Sequence, residues 1–187
     1  MKILISRSSL PDLIDIDGIE RPSKNNQGRY IVVSLHALTR FWRWFGESKA
    51  IDDQGRPIVF YHGTGHDIQA FRESKHGNLG AGIYLTDSSK EAETYTYSPE
   101  HYPNHIPGGN IIAVYVRTLK PYLWTEEDSY ALDSVQHQVK VARSQGCDSV
   151  LYPKRRTQHL VAFTSNQLKS AVGNNGNFDP DYMSIDK

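Results

Sequence analysis

Apolar positions along the chain follow two rhythms. From Leu35 to Phe45 they recur as Leu35, Leu38, Phe41, Trp42 and Phe45, the three-to-four spacing of one helix face. Ser34 precedes this stretch as an N-cap and Gly46 follows it as a stop, because a serine oxygen accepts an orphan N–H and glycine ends a helix without steric cost. A second helix is predicted to open at 87–91, where Ser88 and Glu91 have capping-box spacing. A third is predicted over 130–145, with Leu132, Val135, Val139 and Ala142 on one face and Gly146 at its end. Short apolar or alternating runs predict strands at 30–33, 57–61, 81–85, 111–118, 148–152 and 159–163. Asp52-Asp53-Gln54-Gly55 reads as a turn, 98–110 as a long loop rich in proline and glycine, and 173–180 as a turn-rich tail. The alternation is neither strictly βαβ nor all-β, so the fold class is α+β on mostly antiparallel strands.

Pro11, Gly18, Pro22 and the polar run 23–28 mark residues 1–30 as loop-like. The chain is therefore expected to divide into an N-terminal appendage, 1–33, and one domain, 34–187. A length of 187 residues suits one core with a short appendage. Hydrophobic residues at 38% and charged residues at 22% are globular values, and no apolar run reaches membrane-spanning length. Asp12, Asp15 and Asp17 stand where a secretory segment needs apolar residues. A single cysteine, Cys147, excludes an internal disulfide and fits a reducing compartment, so the expected site of action is cytoplasmic. Zero net charge removes any whole-molecule attraction to nucleic acid or anionic lipid.

The run Phe41-Trp42-Arg43-Trp44-Phe45 reads first as a core-facing stripe. Trp44 and the helix's two arginines, off that stripe, are candidates for a partner surface. His66, His76, His101 and His105 lack metal-ligand spacing, and no metal is expected. Cys147 beside Gly146 reads as packing, and Asp179 and Asp181 as turn residues.

Two constellations carry chemistry. Phe60-Tyr61-His62-Gly63-Thr64 puts a His-Gly pair at the end of a buried strand, where the histidine points a polar ring into a cleft and the glycine lets a ligand touch backbone. Gly80-Ala81-Gly82-Ile83-Tyr84-Leu85-Thr86-Asp87 then runs into the helix that carries Tyr95. Two tyrosines on a strand and its following helix can wall a slot for a flat ring. Taken alone, either constellation is also compatible with an ordinary turn and core aromatics.

In this order the motifs resemble the ADP-ribosyltransferase superfamily, in its diphtheria-toxin and poly(ADP-ribose) polymerase-like branch. The closest likeness is to the domains of phage polyvalent proteins. It is carried also by Trp44-Phe45-Gly46-x-Ser48, by Asp52-x-x-Gly55-x-Pro57-Ile58-Val59, by Asn166-Gln167-Leu168-Lys169-Ser170-Ala171 and by Asn175-Gly176-x-Phe178-Asp179-Pro180. The resemblance implies a split β-sandwich of mostly antiparallel strands with flanking helices, and NAD as co-substrate. It implies that the Gly63 backbone clamps the nicotinamide carboxamide and that His62 holds a hydroxyl of the adenine ribose. Tyr84 would pack on the nicotinamide and Tyr95 on its other side, with Thr64 and Ser89 as lesser contacts.

The family's third landmark is a glutamate opening a late strand. Ungapped alignment on Phe163 and Asn166-Gln167 puts His159 there, and a one-residue shift puts Gln158 there; neither is a carboxylate. Three readings follow: retained transfer of a single ADP-ribose unit, an inactivating exchange of glutamate for glutamine at 158, or a fold that binds without chemistry. Retained transfer is preferred, since glutamine still hydrogen-bonds a ribose hydroxyl although it cannot act as a base. The loop before that strand, by resemblance beside the acceptor, reads Lys154-Arg155-Arg156. Cations there suit the phosphates of a nucleic-acid acceptor, RNA or DNA, ahead of a protein acceptor, and they read equally as a solvated basic turn. The expected function is a mono-ADP-ribosyltransferase acting as a toxin in phage or bacterial conflict, with an antitoxin or carrier as partner. The alternative is a NAD-binding module without activity.

Overall fold

The computed structural model describes residues 10–65, 68, 70–75, 77–96, 109–125, 138–154 and 156–186, with Lys154 described by its backbone only. The described residues open on a two-stranded hairpin, β1 (Leu13–Ile16) and β2 (Ile19–Pro22), turned by Asp17 and Gly18 at positive φ. Over 13–22 this corrects the loop reading of 1–30. The hairpin was hidden because its strands are only four residues each and its outer face is exposed. The strand expected at 30–33 does not form; Tyr30 makes only an isolated bridge to Lys24.

Helix α1 (Leu35–Phe45) forms as its pattern predicts, with Ser34 Oγ accepting the Ala37 N–H and the Gly46 N–H bonding the Trp42 carbonyl. Its apolar face carries Leu38, Phe41 and Phe45, all without solvent exposure. The aromatic rings stack on one another and on Tyr115 and Phe178, as edge-on and offset pairs favour. Part of the partner-surface reading is corrected here. Trp44 is buried against Phe178, their ring centroids 6.0 Å apart, because the tail folds back over the helix. Arg43 is paired with Asp17 of the hairpin. The residues read as appendage share this core where they are described: Ile16 and Ile31 belong to the same apolar cluster as α1. Asn25 also donates to the Tyr115 hydroxyl at 3.1 Å, and Trp42 Nε1 to the Pro22 carbonyl at 3.0 Å.

The remaining strands are β3 (Phe60–Thr64), β4 (Ile83–Thr86), β5 (Asn110–Val116), β6 (Pro121–Leu123), β7 (Ser149–Lys154), β8 (Thr157–Ala162) and β9 (Leu168–Ser170). They make one seven-stranded sheet in the order β6-β7-β8-β4-β3-β5-β9, antiparallel throughout except for the β6–β7 pair. The fold is an α+β ADP-ribosyltransferase-type fold on a curled, mostly antiparallel sheet. Among the described residues two short α-helices follow α1: α2 (Ser89–Glu93), which a 3-10 turn at Thr94–Thr96 extends, and α3 (Gln138–Ser144). The loop expected at 98–110 and the first half of the helix expected at 130–145 lie largely outside the described residues. No helix among the described residues is long and apolar enough to cross a membrane.

One feature of the sheet positions the site. β4 is paired over its full length with β8, and β3 over its full length with β5, but β3 and β4 pair only at Tyr61 and Thr86. The sheet therefore parts between the two strands that carry the His-Gly and Gly-Ile-Tyr motifs. Helix α2 closes the parting on one side. The space for it comes from Gly63, where a side-chain Cβ would stand 1.9 Å from the Ala92 carbonyl oxygen. Ser88 caps this helix through its Oγ, which accepts the Glu91 N–H at 3.2 Å. Ser88→Ala should lower stability by about 1 kcal/mol, read as a shift in urea midpoint. No shift would mean that packing on Gly63 holds α2 without the cap.

Candidate functional site

The parting forms a narrow slot of about 70 Å³, lined by Tyr61, His62, Gly63, Tyr84, Leu85, Thr86, Ala92, Tyr95 and His159. His62 spans the gap between the strands, its Nδ1–H donating to the Tyr84 carbonyl at 2.8 Å. A carbonyl can only accept, so the bond fixes the tautomer in the neutral ring and leaves the lone pair on Nε2. Phe71 packs edge-on against the same ring, centroids 5.1 Å apart. The imidazole is thus oriented by both a polar and an apolar contact.

Burial makes His62 harder to protonate than the usual 6.5, the bond to Tyr84 opposing this in part. The unfolded chain takes up the proton near 6.5 and the folded chain only at lower pH. Between those points the unfolded state holds more protons, so stability falls as pH drops through that window. Urea unfolding at pH 7 and pH 5 should show a larger loss for the wild type than for His62→Gln. Equal losses would mean that His62 does not control this response.

Tyr84 is held from the other side. Its hydroxyl donates to the Gly80 carbonyl at 2.7 Å and accepts the Leu79 N–H at 2.8 Å. Its ring lies so close to Gly77 that a Cβ there would stand 2.0 Å from it. Tyr84 therefore presents a fixed, half-buried ring, and burial pushes its phenol up. Tyr95, on the 3-10 turn after α2, also lines the slot and is 57% exposed. One wall of the slot is rigid and the other is open to solvent.

Not every residue singled out in the sequence lies here. Thr64 and Ser89 do not line the slot, and the Ser89 side chain is exposed on α2. His159 lines it, directly opposite Thr86 in the β4–β8 ladder. Gln158 does not, because successive strand residues face opposite ways; its side chain is exposed, and its N–H donates to Asp87 at 3.0 Å. Lys154 and Arg156 flank the tip of the β7–β8 hairpin, whose last ladder pair is Lys154 with Thr157. Arg156 is exposed; Arg155 and the Lys154 side chain lie outside the described residues. His66, His76, His101 and His105 lie outside them as well. Among the described residues no cluster of His, Cys, Asp or Glu is placed to hold a metal ion.

Sequence reasoning missed one group. Glu91 was read as half of a capping box, but only the first half of that box forms. The Ser88 N–H goes to the Thr86 hydroxyl at 3.3 Å, and the Glu91 carboxylate turns toward β8 instead. Its Oε2 lies 3.0 Å from His159 Nε2 and 2.9 Å from the Thr157 hydroxyl, which donates to it. The Thr86 hydroxyl is 3.5 Å from the same oxygen. Nothing in the spacing of Glu91 signals this, since Ser-x-x-Glu serves capping equally well. The Tyr152 ring covers His159 at 5.0 Å.

A larger open cavity, about 560 Å³, borders Arg40, Arg43, Trp44, Arg117 and Phe178. It contains none of His62, Gly63, Tyr84, Tyr95 and His159, which the slot brings together.

A parted antiparallel sheet with a His-Gly strand, a Gly-Ile-Tyr strand and a capped helix over the parting is the arrangement that the resemblance to the ADP-ribosyltransferase superfamily implies. The sequence profile described as ADP-ribosyltransferase in polyvalent proteins matches residues 52–178, more than half of the chain, and the chain belongs to that family. No curated protein matches it. Transfer of ADP-ribose is the activity this domain supports.

Proposed function

We propose that the protein is a NAD-dependent mono-ADP-ribosyltransferase that modifies a macromolecule. The observation that carries this reading is the slot itself, which gathers His62, Gly63, Tyr84, Tyr95 and His159 at the one place where the sheet parts. The β3–β4 ladder pairs only Tyr61 with Thr86, so a carboxamide can meet the Gly63 backbone edge-on. The fixed ring of Tyr84 is one wall for nicotinamide, and Tyr95 is the other. A cavity of about 150 Å³ is the size that holds benzene, and the slot is near 70 Å³. Exposed Tyr95 is the wall that must move outward for the ring to enter. NAD supplies the ADP-ribosyl group: the bond from C1′ to the nicotinamide nitrogen breaks and a bond from C1′ to the acceptor forms. The residues contribute positioning in a site with little room for water, which is worth several kcal/mol of barrier.

Exposed Arg156 at the β7–β8 tip supports an acceptor that carries phosphates, RNA or DNA, over a protein. The family setting in polyvalent proteins supports a toxin role in phage or bacterial conflict, with an antitoxin or carrier that restrains it, and action in the cytoplasm. A second reading, a NAD-binding module without turnover, is favoured by one observation: β8 carries no carboxylate.

The test is nicotinamide release from NAD with RNA, DNA or protein extract supplied separately, alongside direct measurement of NAD binding. Release stimulated by one class of acceptor supports the transferase and names its target. Binding without release from any acceptor leaves the module, and absence of both overturns the NAD reading.

A further inference from the structure

The late strand lacks the carboxylate that this chemistry uses, yet a carboxylate stands beside it. We propose that Glu91, delivered from α2, supplies the missing negative charge and works through His159 as an acid–base pair. The inference rests on the transferase reading of the same slot.

Four observations point to the pair. Glu91 Oε2 and His159 Nε2 are 3.0 Å apart, with only 7% of the His159 side chain and 22% of the Glu91 side chain exposed. A hydrogen bond to a carboxylate so shielded from water is stronger than one at the surface. The carboxylate is set in place by a second donor, the Thr157 hydroxyl at 2.9 Å. It has also forgone the capping bond that its position offers, since the Ser88 N–H is taken by Thr86. Meanwhile His159 and Thr86, both in contact range of Glu91, line the slot itself.

The chemistry follows from the tautomer. With Nε2–H donated to the carboxylate, the lone pair of neutral His159 is on Nδ1. As the C1′ to nicotinamide bond breaks, nicotinamide leaves with the bonding electron pair and the acceptor oxygen or nitrogen bonds to C1′. The acceptor's proton passes to His159, and the imidazolium is stabilised by Glu91 until the proton is lost to water. NAD and acceptor become ADP-ribosyl acceptor, nicotinamide and one proton, so atoms and charge balance. His159 is then the catalytic residue and Glu91 the positioning residue, the division of labour between an imidazole and the carboxylate that orients it. Glu91 also places negative charge near an oxocarbenium-like carbon, as carboxylates do in glycoside cleavage.

The test compares kcat and the KM for NAD in the wild type, Glu91→Gln, His159→Gln and the double variant Glu91→Gln with His159→Glu. Glu91→Gln keeps the size of the side chain and its bond to Thr157. It should lower kcat about 10²-fold and leave KM within about threefold, since the tyrosine walls and Gly63 are untouched. The double variant, which moves the carboxylate onto β8, should recover kcat at least tenfold over Glu91→Gln. Loss through misfolding alone would not be reversed by a second buried substitution, so the rescue keeps the inference testable even if Glu91→Gln is less stable. Wild-type release that Glu91→Gln leaves unchanged overturns this inference and spares the transferase reading. A wild type that binds NAD and releases nothing with any acceptor overturns both.

Discussion

Replacing His62 with alanine should lower nicotinamide release by about 10²-fold or more while the protein stays folded. The expectation rests on what the ring is doing across the gap. Its Nδ1–H is committed to the Tyr84 carbonyl at 2.8 Å, so Nε2 is left as an acceptor in a slot that burial keeps neutral. A ribose hydroxyl is a donor of the right kind for that atom. Alanine removes the acceptor, and it also leaves the Tyr84 carbonyl without its donor, which costs about 1–3 kcal/mol when buried. The two effects separate experimentally. The stability loss appears in urea unfolding of the free protein. The functional loss appears in initial rates at saturating and limiting NAD, where weakened binding raises KM. An unchanged rate in a folded His62→Ala protein would reduce this residue to a strut between β3 and β4.

Gly63→Ala should be damaging out of proportion to the one methyl group it adds. The added carbon would stand 1.9 Å from the Ala92 carbonyl oxygen, 2.9 Å from its carbon and 3.0 Å from Tyr95 Cβ. Backbone cannot swing aside as the tip of a long side chain can, so α2 must lift as a unit. Overpacking of this kind costs about 1–3 kcal/mol, occasionally more. The functional loss is larger than that figure alone implies, because α2 and the turn after it carry Glu91, Ala92 and Tyr95 together. NAD binding should be lost along with a lowered urea midpoint. Gly173→Ala is the control: its nearest neighbours would be at ordinary contact, 3.5 and 3.6 Å, so the substitution should be close to neutral. A Gly63→Ala protein that binds NAD normally would show that α2 does not form the wall of the site.

Much of the architecture was legible because it rests on local rules. Helix α1 shows the apolar period, the serine cap and the glycine stop that its sequence carries. The cap of α2 at Ser88 was legible too, although only one of the two bonds of the expected box forms. Strand positions came out shifted by a residue to a few: 57–61 became Phe60–Thr64, and 159–163 became Thr157–Ala162. An apolar run marks burial, whereas a strand is bounded by its partners' hydrogen bonds. The N-terminal hairpin was missed because its core contribution is essentially Ile16 alone. The burial of Trp44 was missed because its cover, Phe178, lies far along the chain in a tail that reads as turns.

By itself the sequence determined the class of fold, the family and the motif residues His62, Gly63, Tyr84 and Tyr95. Each of these depends on short-range order: period, cap, and a run of neighbours in a fixed sequence. Only the tertiary structure decided that the sheet parts between β3 and β4 and that His159 rather than Gln158 faces the slot. It also decided that Glu91 turns from its own helix cap to β8. Those outcomes are set by strand register and by the seating of α2 on Gly63. A register assigns every side chain of a strand to one face or the other through contacts between residues distant in sequence. The chain encodes such contacts only jointly, in the packing of α2 against both strands.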